Sequence, residues 1–218
     1  MNQKAFIFDL DGVIVDTAKY HFLAWQKIAN QLGIDFTHEH NEQLKGVSRI
    51  RSLDLILELG NVTATQQDKD AWLTKKNDDY LQYIINMKED EILAGVVPVL
   101  QHLKDNGQKI ALGSASKNAR PILEKVNIMH FFDAIVDGND VTNAKPDPEV
   151  FLRAAQLLGK TAAESIVFED SVAGVQAANI AGMVSIGIGD KKTLGEAKYV
   201  FEDFTQIETN FLETLVNK

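Results

Sequence analysis

Cysteine is absent from this chain of 218 residues. That excludes a disulfide framework, a thiolate zinc site, an iron–sulfur cluster and a cysteine nucleophile. Proline is scarce, at four residues, so a Pro-rich linker protein is excluded as well. Basic charge is in deficit. Lys and Arg number 22 against 31 Asp and Glu, a formal net charge of −9. A nucleic-acid partner is therefore not expected, since a phosphate backbone is gripped by basic patches. The N-terminal apolar run is broken by Asp9. It reads as neither a signal peptide nor a membrane span, and a cytoplasmic protein with no membrane partner is the expectation. No apolar stripe asks for a second copy, so a monomer is expected.

The rest of the composition, 45% hydrophobic and 24% charged, is that of a globular protein with ample length for a buried core. Five short apolar runs rich in β-branched residues and Phe stand out. They are Ala5–Phe8, Ile110–Leu112, Ala134–Val136, Ser165–Phe168 and Val184–Ile188. Their shortness and lack of polar interruption predict strands covered on both faces. Helical patterns over 95–106, 117–127, 148–158 and 171–181 alternate with them. The alternation predicts βαβ units and an α/β fold, a doubly wound, Rossmann-like parallel sheet.

The eighty residues after the first strand break the alternation. Ala18, Phe22, Trp25, Ala29 and Leu32 recur at helical spacing, and 48–59 and 65–87 also read as helical. The expectation is an inserted all-α cap over residues 16–94. The α/β core then comprises 1–15 and 95–218, with hinges near Val15–Asp16 and Ala94–Gly95.

Ligands in an open α/β sheet sit at the carboxyl ends of the strands. There the chain carries Asp9-Leu10-Asp11-Gly12, Gly113-Ser114-Ala115-Ser116 and Glu169-Asp170, with Lys145-Pro146 after the third strand. Carboxylates crowded together repel unless a cation or a shared proton intervenes. Four of them, with no thiol and no His cluster, point to a hard, oxygen-ligated cation, and Mg²⁺ is favoured because it works with phosphate oxygens. Ser114–Ser116 reads either as an anion cradle of hydroxyl and backbone N–H groups or as a simple helix cap. Lys145 reads either as a point charge for phosphate or as a surface lysine. Thr17, His21 and Trp25 share a helix face at i, i+4 spacing. His21 is then either a functional bridge to Asp11 or a histidine packed on Trp25. Gly113, residues 61–70 and Asn139–Asn143 carry no readable functional signal.

Phe8-Asp9-Leu10-Asp11-Gly12-Val13, the Ser114 strand end, Lys145-Pro146 and Glu169-Asp170-Ser171 stand in order at suitable spacing. They resemble the four motifs of the haloacid dehalogenase superfamily of aspartyl-phosphate phosphotransferases, and the resemblance spans essentially the whole chain. Residues 16–21 with Trp25, 41–49, 75–78 and 114–118 are similar, more narrowly, to the β-phosphoglucomutase family.

The resemblance implies Asp9 as nucleophile and Asp11 as general acid and base, with Thr17, His21, Ser114 and Lys145 serving catalysis. It implies Mg²⁺ on Asp9, Asp11, Glu169 and Asp170. Ser114, the Ala115 amide and Lys145 would hold the transferring phosphoryl group. Gly46, Val47, Ser48, Arg49 and Lys76 from the cap, with Trp25, Ser116, Lys117 and Asn118, would bind the sugar phosphate, Arg49 gripping its second phosphate. The implied reaction converts β-D-glucose 1-phosphate to glucose 6-phosphate through β-glucose 1,6-bisphosphate. A sugar-phosphate phosphatase and a non-catalytic sugar-phosphate-binding protein are the alternatives.

Overall fold

The computed structural model describes residues 3–44 and 47–217. Its centre is a six-stranded sheet whose paired strands are all parallel, in the order β3-β2-β1-β4-β5-β6. The strands are β1 (Ala5–Phe8), β2 (Lys109–Gly113), β3 (Ala134–Val136), β4 (Ser165–Glu169), β5 (Val184–Ile188) and β6 (Tyr199–Phe201). The five expected strands are present. β6 was not expected: its three half-buried residues form a strand because β5 offers them an open edge.

Strand parity divides the core. Phe6, Phe8, Ile110, Leu112, Ile166 and Phe168 point to one face, and Ile7, Ala111 and Val167 to the other. The first face is covered by α5 (Val96–Asp105), α6 (Ala119–Lys125) and the C-terminal α9 (Thr209–Asn217); the second by α7 (Glu149–Leu157) and α8 (Val172–Ile180). Phe8 and Phe168 stack at 4.6 Å between ring centroids. Both faces being covered explains why the strands read as unbroken apolar runs.

Between β1 and α5 come α1 (Ala18–Gln31), α2 (His38–Glu42), α3 (Arg49–Leu59) and α4 (Gln66–Ile84). They enclose a cluster of their own around Phe22, Trp25, Ile28, Leu53 and Ile56. The chain enters and leaves these helices through two segments lying side by side. Val15 bridges to Ile92, Asp16 N–H donates to Glu91 C=O at 3.2 Å, and Leu93 N–H donates to Ile14 C=O at 3.0 Å. The short α2 and the terminal α9 were not foreseen, whereas the other helices fall where the sequence places them. The fold class is α/β, a doubly wound parallel sheet with inserted helices. Among the described residues no helix is long and apolar enough to cross a membrane.

Candidate active site

The sheet register fixes the site's floor. Phe8 pairs with Leu112 on one side and Phe168 on the other, so Asp9, Gly113 and Glu169 come level at the strand ends. Asp9 and Glu169 have the parity of Ile7 and Val167, so both side chains turn toward α7 and α8. Lys145 arrives between them. Its Nζ lies 2.6 Å from Asp9 Oδ1, 2.5 Å from Glu169 Oε1 and 3.3 Å from Gly113 C=O, and 4.6 Å from the Phe151 ring. Lys145, Asp9 and Glu169 are all buried. Lys145 is therefore a buried ammonium, not a surface lysine. Burial alone would lower its pKa, but the two carboxylates outweigh burial and raise it. Asp9 is pushed up to about 7, chiefly by burial and against the pull of Lys145; Glu169 and Asp11 add to the rise.

Glu169 is held from its other side too, by the Ser171 N–H at 2.8 Å and the Ser171 hydroxyl at 2.9 Å. Its carboxylate thus lies below the cleft, joined to Asp9 through Lys145. Asp170, one residue on, has the opposite direction and lies against the Gly12 loop. A Cβ on Gly12 would stand 2.1 Å from Asp170 Oδ2, and Gly12 has φ +80°, so this turn needs glycine twice over.

Asp11 N–H donates to Asp9 Oδ2 at 3.1 Å, and the Thr17 hydroxyl donates to Asp11 Oδ1. Asp11 is held above the ordinary carboxylate range by burial, which the Thr17 hydrogen bond only partly offsets. His21 Nε2 is 3.9 Å from Asp11 Oδ1 and has no hydrogen-bond partner, although buried. His21 Nδ1 is 3.0 Å from Lys76 Nζ, and the ring rests on Tyr80 at 4.4 Å. Burial and the charges of Lys76 and Arg49 hold the imidazole pKa well below its ordinary value, so it is neutral at pH 7.

Lys76 is itself buried, between the rings of Trp25 and Tyr80 at 4.9 and 4.7 Å. Burial and the nearby Arg49 bring it down to about 7 from 10.5. The folded chain thus gives up this proton near pH 7, whereas the unfolded chain keeps it to about 10.5. Across that window the unfolded state binds more protons, so the stability contributed by this group rises with pH. The melting temperature, followed from pH 7 upward, should climb less steeply in Lys76→Met. Parallel curves would remove Lys76 as the source.

The loop after β2 supplies backbone. Ser114, buried, accepts from Ser116 N–H at 3.1 Å, and Ser116 Oγ accepts from Asn118 N–H at 3.3 Å. Helix α6 starts only at Ala119, so 114–118 is a turn and not the helical start expected near Lys117. The loop 137–140, which runs into the silent Asn139–Asn143 stretch, buttresses it. Gly138 N–H donates to Ser116 C=O at 3.2 Å and the Asn139 amide to Lys117 C=O at 3.0 Å. A Cβ on Gly138 would lie 2.3 Å from the Ala115 carbonyl oxygen. Arg120 locks the buttress through the buried Asp137 and through Asp140, both at 3.1 Å.

A cleft of about 570 Å³ joins these parts. Asp9, Asp11, Asp170, Ser114, Ala115 and Lys145 line its floor; Ser116, Lys117 and Asn118 line one wall; His21, Trp25, Val47, Ser48, Arg49 and Lys76 line the helical side. Thr17 and Glu169 stand behind the surface, and Gly46 lies outside the described residues. Asn41, from the 41–49 segment, lines the cleft as well; Ser52, Leu73 and 141–144 also line it and were not anticipated, since only their fold neighbours, not any motif, mark them.

The parallel sheet, the strand-end carboxylates and the cleft define a class: the chain belongs to the haloacid dehalogenase-like hydrolase family, whose model matches residues 3–182. Within that class the chain is similar to a β-phosphoglucomutase of Bacillus subtilis (strain 168). The two are 41% identical over 96% of this chain and 93% of that protein. The structure is similar to that of a β-phosphoglucomutase from Clostridium difficile, with TM-score 0.94 and 41% identity over 99% of this chain and 97% of that one. A phosphorylated-carbohydrates phosphatase of Thermotoga maritima is 29% identical over 89% of this chain and 91% of its own.

Proposed function

We propose that this chain is a Mg²⁺-dependent β-phosphoglucomutase that interconverts β-D-glucose 1-phosphate and glucose 6-phosphate. The observation that carries this reading is one cleft that has Asp9, Ser114 and Lys145 on its floor and further phosphate-binding groups on its walls, Arg49 and Lys76 from the helical side and the 116–118 loop from the other. The floor serves the transferring phosphate, and Arg49 with the 116–118 loop is read as serving the second. A sugar bisphosphate needs both sets at once. A simple phosphatase needs only the floor.

Asp9 attacks phosphorus and becomes an aspartyl phosphate, which splits one hard transfer into two easier ones. Lys145 and the 114–115 loop carry charge on the phosphoryl oxygens in flight. Asp11, with its raised pKa, gives a proton to the leaving sugar oxygen and takes one from the incoming hydroxyl. Thr17 holds Asp11 in position for both tasks, and His21 faces it at 3.9 Å. The intermediate, β-glucose 1,6-bisphosphate, turns in the cleft so that either phosphate meets Asp9, while Arg49 and the 116–118 loop hold the other.

The donor set fits Mg²⁺. Asp9 and Asp170 line the cleft with hard carboxylate oxygens, Asp170 beside the Gly12 turn, and the main-chain carbonyl of Asp11 would be a further oxygen donor. Mg²⁺ ordinarily takes one or two protein carboxylates and fills its remaining positions with waters and substrate phosphate oxygens. Glu169, expected as a fourth ligand, is assigned instead to holding Lys145, because its strand parity turns it under the cleft. When bound, the ion neutralises phosphoryl charge and orients the transfer. Residues 16–94 are read as the cap that shuts out water, and 1–15 with 95–218 as the core; the chain is read as acting as a monomer.

The test is to incubate the protein with Mg²⁺, β-glucose 1-phosphate and a trace of the bisphosphate. Glucose 6-phosphate should form without matching free phosphate; phosphate as the main product would refute the mutase. Arg49→Ala should raise KM for glucose 1-phosphate about ten- to a hundredfold, the worth of a charge-assisted hydrogen bond or two. Hydrolysis of acetyl phosphate should change little. Equal losses in the two assays would reject the distal-phosphate role.

A further inference from the structure

Two asparagines break local rules in ways that explain each other. Asn118 is the N-cap of α6, where an asparagine side chain ordinarily accepts from the first turn of its own helix. It makes no such bond. Its Nδ2 instead donates to Asn77 Oδ1 at 3.1 Å, reaching 41 residues back along the chain to α4. Asn77 stands in the interior of α4, where asparagine is a poor helix former. It shares a helix face with Tyr80 and Ile84, at i, i+3 and i+7. Both of those are buried, and Ile84 packs into the core cluster of the sheet. Local preferences surrendered at two positions for one long-range bond mark a functional contact.

The bond joins the helical side directly to the 116–118 loop. The adjacent Lys76 already ties α4 to His21, and His21 faces Asp11. Helix α4 therefore touches both ends of the site, through Lys76 at the acid–base end and through Asn77 at the distal loop. The Asn118 amide carries two N–H bonds. Giving one to Asn77 orients the group and leaves the other for a phosphate oxygen.

We infer that Asn77 is a positioning residue that docks the inserted helices onto the distal-phosphate loop and so sets the division of the phospho-enzyme between sugar phosphate and water. The inference rests on the mutase reading above. A phosphate on the 116–118 loop orders Asn118, the ordered amide holds Asn77, and α4 stays down over Asp9 while the phosphoryl group is exposed to attack. Without the contact the cleft stays open for longer, and water competes better.

The experiment loads Asp9 with acetyl phosphate in Mg²⁺ and then adds saturating β-glucose 1-phosphate, counting phosphoryl groups passed to sugar and to water. In Asn77→Ala the ratio of hydrolysis to transfer should rise about three- to tenfold, the worth of one ordinary hydrogen bond. The loading rate should stay at the wild-type value. Alanine is the better helix former, so α4 is not put at risk. Asn77→Asp keeps an acceptor oxygen for Asn118 and should bring the ratio back toward wild type. An unchanged ratio in Asn77→Ala, a loading rate that falls in step with transfer, or no recovery in Asn77→Asp would each overturn the inference. A wild-type chain that loads normally yet never passes phosphate to sugar would instead overturn the mutase reading.

Discussion

Asp9→Asn should abolish turnover, by on the order of 10⁴–10⁶-fold, and leave the fold in place. Every productive path begins with a bond from an Asp9 oxygen to phosphorus, and a neutral amide cannot make it. The amide has the shape of the carboxylate, and its oxygen can still accept from Lys145, now at 2.6 Å from Asp9 Oδ1. Lys145 also keeps its second partner, Glu169, so the buried ammonium is not stranded. Phosphorus NMR should show the aspartyl phosphate in the wild-type chain and none in the variant, with similar melting curves. Turnover surviving the change would refute the assigned chemistry.

Lys145→Met should damage stability and rate together, for separable reasons. Asp9 and Glu169 are both buried at the end of the sheet, and the ammonium between them is what makes that tolerable. Removing one partner of a buried ion pair costs about 3–5 kcal/mol, because an uncompensated charge stays behind. Asp9, already raised to about 7 beside the ammonium, would lose the one neighbour that lowers its pKa and rise further. The folded variant binds the extra protons, so its stability is greatest in acid and falls as the pH rises through the ordinary carboxylate range. Thermal melts in chelating buffer should show that fall ending near pH 7 in the wild type and continuing to higher pH in Lys145→Met. Turnover should drop by roughly 10²–10³-fold or more, the usual cost of losing a donor to the transition-state charge. The double variant Lys145→Met with Glu169→Gln should regain stability without regaining rate. Recovery of neither would mean that Lys145 acts through something other than these two charges.

A net charge of −9 repels phosphate at long range, and the cleft resolves this locally. Lys145 neutralises the floor, and Lys76 and Arg49 lie on the helical side of the same cleft. At neutral pH Lys76 is poised near its own titration point, so an arriving phosphate can draw a proton onto it at little cost.

Much of this was legible in the sequence, for nameable reasons. Doubly covered strands are apolar at nearly every position, so Ala5–Phe8 and Ser165–Phe168 announced themselves and carried Asp9, Glu169 and Asp170 to the strand ends. Positions 17, 21 and 25 were placed by helix periodicity alone. β6 escaped because three half-buried residues have no pattern until β5 stands beside them. The 137–140 buttress escaped because its parts are a backbone N–H, a missing Cβ and side chains of Asn139, Asp137 and Asp140 whose partners lie 17 to 22 residues away, so no local pattern marks them.

What the sequence determined by itself is therefore the list of chemical groups and the order in which the strands deliver them. Local propensity and periodicity act over a few residues, and that is enough to put a carboxylate at a strand end. Only the tertiary structure decided how those groups divide the work. Strand parity and pairing register turned Glu169 under the cleft toward Lys145 while Asp170 faced Gly12. Packing of the inserted helices buried Lys76 between two rings and set Asn77 against Asn118. Such contacts join residues tens to more than a hundred positions apart. No short-range preference encodes them, because their energy exists only once the core has brought the two segments together.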